Sequence, residues 1–146
     1  MNLASAQIER VTRQGSNAYF IIFDIDHFKK VNDTFGHLIG DKVLKCVADR
    51  VKKALRPYDI FGRYGGEEFT IFVSDISSTD IANYAERIRR AICGEPMEFM
   101  DTKLTASASF GIAPVTPKKL EAIIHIADEA LYKAKQEGRN RVELTT

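Results

Sequence analysis

Five consecutive apolar residues, Tyr19-Phe20-Ile21-Ile22-Phe23, run directly into Asp24-Ile25-Asp26, and this junction constrains the chain more than any other. A short run of large apolar and β-branched residues next to a break at 14–17 reads as a buried strand. The carboxylate of Asp24 then sits at the end of a buried element, where an unpaired charge is costly and something must compensate it. Two readings stand on the residues alone: a carboxylate bonded to helix N–H groups or an arginine, or a metal ligand. Asp26 is explained more simply, as the N-cap of a short helix over 27–34 that closes near Gly36.

The remaining elements follow from periodicity and punctuation. Residues 1–13 read as a helix. Between 41 and 55, Val43, Leu44, Val47, Ala48, Val51, Ala54 and Leu55 recur with helical period, and Lys42, Lys45, Asp49 and Lys52 take the solvated face. Strands over 59–64 and 67–73 flank Gly65-Gly66, a dipeptide favoured in two-residue hairpins that need positive φ at both positions. Ser78 or Thr79 caps a helix ending at Gly94, and 103–112 alternates as one strand. Pro117 opens a long helix stopped by Gly138, and a last strand covers 141–144. Helices interspersed with a central hairpin predict an α+β sandwich of ferredoxin-like, palm-type form: a mainly antiparallel sheet of about five strands, covered by helices.

A chain of 146 residues, 45% hydrophobic, suits a single domain over 1–146. Its formal net charge of +1 gives no global attraction to nucleic acid or to an anionic membrane, so any anion site must be local. No apolar run approaches the roughly 20 residues of a membrane span, and no signal-peptide pattern opens the chain. Cys46 and Cys93 lack metal or redox spacing. The expectation is a soluble cytoplasmic domain with two reduced thiols.

A second chemical element is Arg63-Tyr64-Gly65-Gly66-Glu67-Glu68-Phe69. Adjacent strand residues point to opposite faces, so Glu67 and Glu68 share a site only if the turn breaks the pleat. Alone, the pair is an exposed acidic hairpin. With the carboxylate-ended strand, it becomes a candidate site for hard cations held by oxygen, the arrangement used in phosphoryl transfer.

Several ordered blocks carry a resemblance. Phe23-Asp24-Ile25-Asp26-His27-Phe28-Lys29, Asn32-Asp33-Thr34-Phe35-Gly36-His37, Gly40-Asp41, the segment 63–69, Ser109-Phe110-Gly111-Ile112-Ala113, and 127–135 through Gly138-Arg139-Asn140 resemble the successive signatures of the GGDEF family of diguanylate cyclases. The resemblance implies condensation of two GTP into cyclic di-GMP across a homodimer. It implies that Asp24, the Ile25 carbonyl, Glu67 and Glu68 hold two Mg²⁺ (or Mn²⁺) ions, with Glu67 also the catalytic base. His27, Phe28 and Lys29 would cradle the β- and γ-phosphates through backbone N–H groups at a helix start, a position suited to anions. Lys135 and Arg139 would clamp the phosphates, and Asn32 and Asp41 would read guanine. From the residues alone, the favoured readings are a helix-end polar group for Asn32 and an N-cap for Asp41.

Arg56-Pro57-Tyr58-Asp59 matches the family's Arg-x-x-Asp inhibitory site for the product, with Arg87 as its second arginine; on sequence the other reading is a helix-end ion pair. The Asp-x-Leu-Thr segment that normally begins a family member has no match here, so the expectation is a domain lacking it, with dimer alignment in question, and fused to a sensor or membrane region in a longer protein. Two rivals remain: a silent module that binds GTP or cyclic di-GMP, and another palm-type nucleotidyl transferase. The first usually lacks a metal carboxylate, and none is missing here. The second lacks support, because no basic, aromatic-interleaved stripe suits a nucleic-acid strand.

Overall fold

The structure, a computed structural model, describes residues 17–145 together with Ala6, Glu9 and Arg10. Most of the helix expected over 1–13 lies outside the described residues; Ala6, Glu9 and Arg10 are helical. Strand β1 (Ala18–Ile25) is buried at every position because it is the central strand. It pairs antiparallel with β3 (Glu68–Ser74) on one side and β6 (Ala108–Pro114) on the other. β2 (Ile60–Arg63) adds antiparallel to β3, and β7 (Val142–Leu144) adds parallel to β6, giving the order β2-β3-β1-β6-β7. The expected five-stranded, mainly antiparallel sheet is the one found.

Alternation along β1 divides the core. Tyr19, Ile21, Phe23 and Ile25 face a layer made by Val43, Leu44, Val47 and Val51 of α2 (His37–Ala54) and Ile81, Ala85, Ile88 and Ile92 of α3 (Ile81–Cys93). Ala18, Phe20 and Ile22 face Ile123, Ala127 and Leu131 of α4 (Leu120–Gln136). By the same parity, Asp24 lies on the α4 side and Ile25 on the other. Beneath the carboxylates, Phe23 stacks on Phe69 and Phe110 with ring centroids 5.1 and 4.7 Å apart, tying the ends of three strands together.

Four expectations are corrected. The alternating run over 103–112 is two strands, because Thr102–Leu104 (β5) folds back on Met97–Phe99 (β4) as a separate hairpin and only Ala108 onward joins the sheet. The helix expected from Asp41 begins at His37, so Asp41 is inside α2 and is not its cap. Gly65 and Gly66 do not form a two-residue turn with positive φ. Four residues, 64–67, connect β2 to β3, the Tyr64 N–H donates to the Glu68 carbonyl at 2.9 Å, and the Arg63 guanidinium donates to the carbonyls of both glycines. Asp26 does not cap α1 (Phe28–Phe35); His27 takes the cap position with φ 55 and no side-chain bond. Cys46 and Cys93 are free thiols. Among the described residues, no helix is long and apolar enough to cross a membrane.

Candidate active site

The site is built where β1 ends. Asp24 stands opposite Glu68 in the β1–β3 register, and cross-strand partners share a face, so the two carboxylates meet on the α4 side of the sheet. Glu67 precedes β3 and belongs to the turn, so pleat alternation does not send it to the opposite face. Its carbonyl accepts from the Ile25 N–H at 3.2 Å, which fixes the turn against the end of β1. From α4, Lys135 donates to Asp24 Oδ2 at 2.5 Å. The structure thus brings together Asp24, Ile25, Glu67, Glu68 and Lys135.

The electrostatics are those of crowded acids. Burial raises the Asp24 carboxyl above its ordinary range; Lys135 pulls the other way, and Glu67 and Asp26 add to the rise. Glu68 is likewise raised, first by burial and then by the charges of Asp24 and Asp128. Asp128, one helical face with Lys135 on α4, was not assigned a role from sequence, although its seven-residue offset from Lys135 places them two turns apart. Asp24 Oδ1 is buried with no hydrogen-bond partner among the described residues. Orphaned carboxylate oxygens are rare in folded proteins and point to a cation.

Among the described residues, no three Asp, Glu, His or Cys side chains could hold a metal by themselves. A hard divalent cation can instead be held by one or two carboxylates and completed by phosphate and water. Asp24, Glu67, Glu68 and the Ile25 carbonyl offer only hard oxygens, the kind of group such a cation prefers.

Helix α1 starts beside this cluster. Its first N–H groups, at Phe28 and Lys29, have no intrahelical acceptor, and no side chain caps them. His27 and Lys29 are exposed and Phe28 is buried, so the turn presents backbone outward while its aromatic ring anchors it. Across from it, Arg139 is half-buried in a left-handed conformation at φ 66, four residues after Lys135.

Asn32 and Asp41 lie around the joint between α1 and α2. A Cβ built on Gly40 would come within 1.8 Å of Asn32 Oδ1, so the side chain of Asn32 rests on the bare backbone of Gly40. Asp41 is exposed and rims a groove of about 600 Å³ whose apolar floor includes Leu44, Phe61 and Phe69, with Lys45 and Arg63 at its edge. The lining combines apolar side chains with the Asp41 carboxylate and does not include Asn32.

The sequence matches the family described as "Diguanylate cyclase, GGDEF domain" over residues 2–141. The chain belongs to the GGDEF family. It is 41% identical over 139 residues to diguanylate cyclase DgcP of Pseudomonas aeruginosa, covering 94% of this chain and 21% of that protein. The fold superposes with a TM-score of 0.92 on the coiled coil and GGDEF domain of DgcB from Caulobacter crescentus in complex with c-di-GMP, at 29% identity over 99% of this chain and 78% of that one. The active GGEEF domain of a diguanylate cyclase from Vibrio cholerae gives 0.89 at 32% identity, covering 97% and 91%. The chain spans about a fifth to a third of the length of the curated relatives it matches.

Within this GGDEF domain, Arg56, Asp59 and Arg87 are not part of the carboxylate site. They cluster where α2 hands over to β2. Arg56 pairs with Asp59 at 3.0 Å, donates to the Ser74 carbonyl at 2.6 Å, and lies 4.6 Å from the Tyr58 ring centroid. The Asp59 side chain is fully buried, and the Tyr84 hydroxyl donates to it through a short hydrogen bond. Burial, followed by that hydrogen bond, pushes the Tyr84 phenol up to about 12. Arg87 also lies over Tyr84, 4.9 Å from its ring centroid, and donates to the Ala54 carbonyl. Both arginines line an open cavity of about 460 Å³ with Ser77 and Asn83. The ion pair of the alternative reading is therefore present, and its Arg56 lines the pocket. No local sequence signal pairs Tyr84 with Asp59, 25 residues away.

The acid cluster makes a stability prediction. A carboxyl raised in the folded state binds its proton more tightly than in the unfolded chain, so its stabilising contribution is complete below the ordinary value and is lost as pH rises through the raised one. For Glu68 that ordinary value is 4.5. Metal-free Glu68→Gln protein should therefore melt higher than the parent at pH 7, and the difference should shrink in acid as the parent's carboxyl is protonated. Thermal melts in EDTA across pH 4 to 8 test the sign; a Gln variant that is less stable at pH 7 rejects this account of the cluster.

Proposed function

We propose that this domain condenses two molecules of GTP into cyclic di-GMP and two pyrophosphates, with one GTP held by each of two domains facing one another. The observation that carries the reading is the orphaned, buried Asp24 Oδ1 facing Glu68 across the strand pair, with Glu67 alongside. Asp24, Glu67, Glu68 and the Ile25 carbonyl would hold two Mg²⁺ ions, which when bound neutralise the triphosphate and acidify the attacking hydroxyl. Backbone N–H groups of His27, Phe28 and Lys29 receive the terminal phosphates at the start of α1. Lys135 and Arg139 add charge from the opposite side, with Lys135 able to exchange its Asp24 partner for a phosphate oxygen. Asn32 and Asp41 fix guanine, whose N1–H and exocyclic amine both donate to a carboxylate, a pairing adenine does not offer.

In each half-reaction a ribose 3′-oxygen forms a bond to the α-phosphorus of the other nucleotide. The bond from that phosphorus to the β-phosphate bridging oxygen breaks, pyrophosphate leaves, and Glu67 takes the hydroxyl proton. Repeating this with the roles exchanged closes the ring. Both steps need two loaded domains, so the active form is a homodimer in which the carboxylate faces oppose. A single domain over 1–146 and a cytoplasmic setting within a longer sensor protein are part of the same reading.

The pocket of Arg56 and Arg87 would bind the product as a brake. Two guanidinium groups beside two tyrosine rings suit phosphates attached to a stacked purine. Asp59 supports Arg56 rather than meeting ligand first, since its carboxylate is already taken.

Incubation with GTP and Mg²⁺, with products identified by mass, tests the whole reading. Cyclic di-GMP should accumulate, ATP should give no cyclic product, and the rate per molecule should rise with protein concentration. Adding product should slow the parent, and about tenfold more should be needed for equal slowing of an Arg87→Ala protein, the loss of one charge-assisted phosphate contact. GTP bound but never turned over, at any protein concentration, would favour the silent binding module instead.

A further inference from the structure

Asp26 has no part in the chemistry above, yet it is one of few buried charged residues, 7% exposed. Its carboxylate accepts three hydrogen bonds: from Ser109 Oγ to Oδ1 at 2.6 Å, and from Ser107 Oγ and the Asn140 N–H to Oδ2 at 2.7 and 3.0 Å. Its own N–H donates to the Ser107 carbonyl at 2.9 Å. The strand end, the start of β6 and the turn between α4 and β7 therefore converge on one side chain.

Two of the segments so joined are strained. His27, directly after Asp26, enters α1 at φ 55. In the other turn, Gly138 has φ 123 and is followed by Arg139 at 66 and Asn140 at 46. Left-handed residues other than glycine persist only where their surroundings hold them. Here the Arg139 N–H donates to the Ala134 carbonyl, the Asn140 N–H to Asp26, and Asn140 Oδ1 accepts from Arg89 Nη1 of α3 at 2.6 Å. Arg89 is itself held by Glu86.

We infer that Asp26 is the positioning residue of the triphosphate subsite: a single buried carboxylate that fixes the phosphate-facing turn at His27 to Lys29 against the turn carrying Arg139. The inference rests on the GTP reading above. Its role is geometric, and the chemistry of its partners says which substitution it tolerates. The Asn140 N–H can only donate, so the oxygen toward it is required. The Ser109 hydroxyl can rotate to accept from an amide, so Oδ1 can become an NH₂ group. Asp26→Asn can satisfy all three partners, whereas Asp26→Ala satisfies none.

The test is calorimetry with Mg²⁺ and two probes, GMP and 3′-deoxy-GTP, which carries the triphosphate but lacks the attacking hydroxyl. The parent should bind 3′-deoxy-GTP more tightly than GMP. Asp26→Ala should cut that preference about tenfold while leaving GMP affinity within about twofold, and Asp26→Asn should keep it within about threefold of the parent. If Asp26→Ala does not fold, Ser107→Ala at a half-buried position removes one of the three bonds to Asp26 and should lower the preference about threefold. An unchanged preference, or equal loss for both probes, overturns the assignment, the second outcome marking a purely structural residue. An Asn variant as impaired as the Ala variant also overturns it, since charge rather than geometry would then matter. A parent with no preference for the triphosphate fails at an earlier point: the phosphate site itself is then misplaced.

Discussion

A Glu67→Gln protein is expected to fold normally and to lose cyclic di-GMP synthesis by about a thousandfold, or ~4 kcal/mol of transition-state stabilisation. The fold should survive because the structural bond made by this residue is through its backbone: the Glu67 carbonyl receives the Ile25 N–H, and the side chain is only half-buried. The activity should not survive, because in the proposed reaction the same carboxylate would both hold metal and take the 3′-hydroxyl proton. Product formation measured by chromatography, beside circular dichroism and a thermal melt, separates the two effects. A folded variant that makes product at near-parent rate would remove Glu67 from the chemistry and leave Asp24 and Glu68 as the only candidates.

The second large effect is expected far from any nucleotide. Gly111 pairs with Ile22 in the middle of the sheet and faces α4. A Cβ there would stand 2.2 Å from the Ala127 carbonyl oxygen and 2.4 Å from the Leu131 backbone nitrogen. Both are main-chain atoms, so no side chain can rotate away and the helix itself must lift. Gly111→Ala should cost about 3 kcal/mol and lower the melting temperature by roughly 10 °C. Because α4 also carries Lys135 and leads to Arg139, the surviving folded protein should bind GTP more weakly. A melt within two or three degrees of the parent would show that α4 is not pressed against the strand as tightly as this geometry requires.

Much of this was legible in the chain. The central strand, the amphipathic stripes of three helices and the sheet class follow from local periodicity, because each element's burial pattern is written in residues close together. The membership of Asp24, Glu67 and Glu68 in one site was suggested by type and by resemblance. Their meeting was not, since it depends on the register that sets Asp24 opposite Glu68. The glycine pair of the turn was legible as a break but misleading as to form. Arg63, by donating to the carbonyls of both glycines, stabilises a four-residue connection that propensity for left-handed glycine does not foresee.

Asp26 shows where local reading stops. Next to a helix start, an aspartate is most simply a cap, and sequence offers no reason to look further. In the folded chain its partners lie 81, 83 and 114 residues away, on a strand and a turn that arrive only when the sheet closes. The same holds for Tyr84 on Asp59, Arg89 on Asn140, and Gly111 beneath α4. By itself, the sequence determined which segments become strands and helices and which residue types could do phosphoryl chemistry, because hydrophobic period and side-chain chemistry are local properties. Tertiary structure alone decided which carboxylate keeps one oxygen without a partner, which is spent on an arginine and which ties two turns together, because a buried charge takes its role from the donors that long-range packing brings within hydrogen-bond reach.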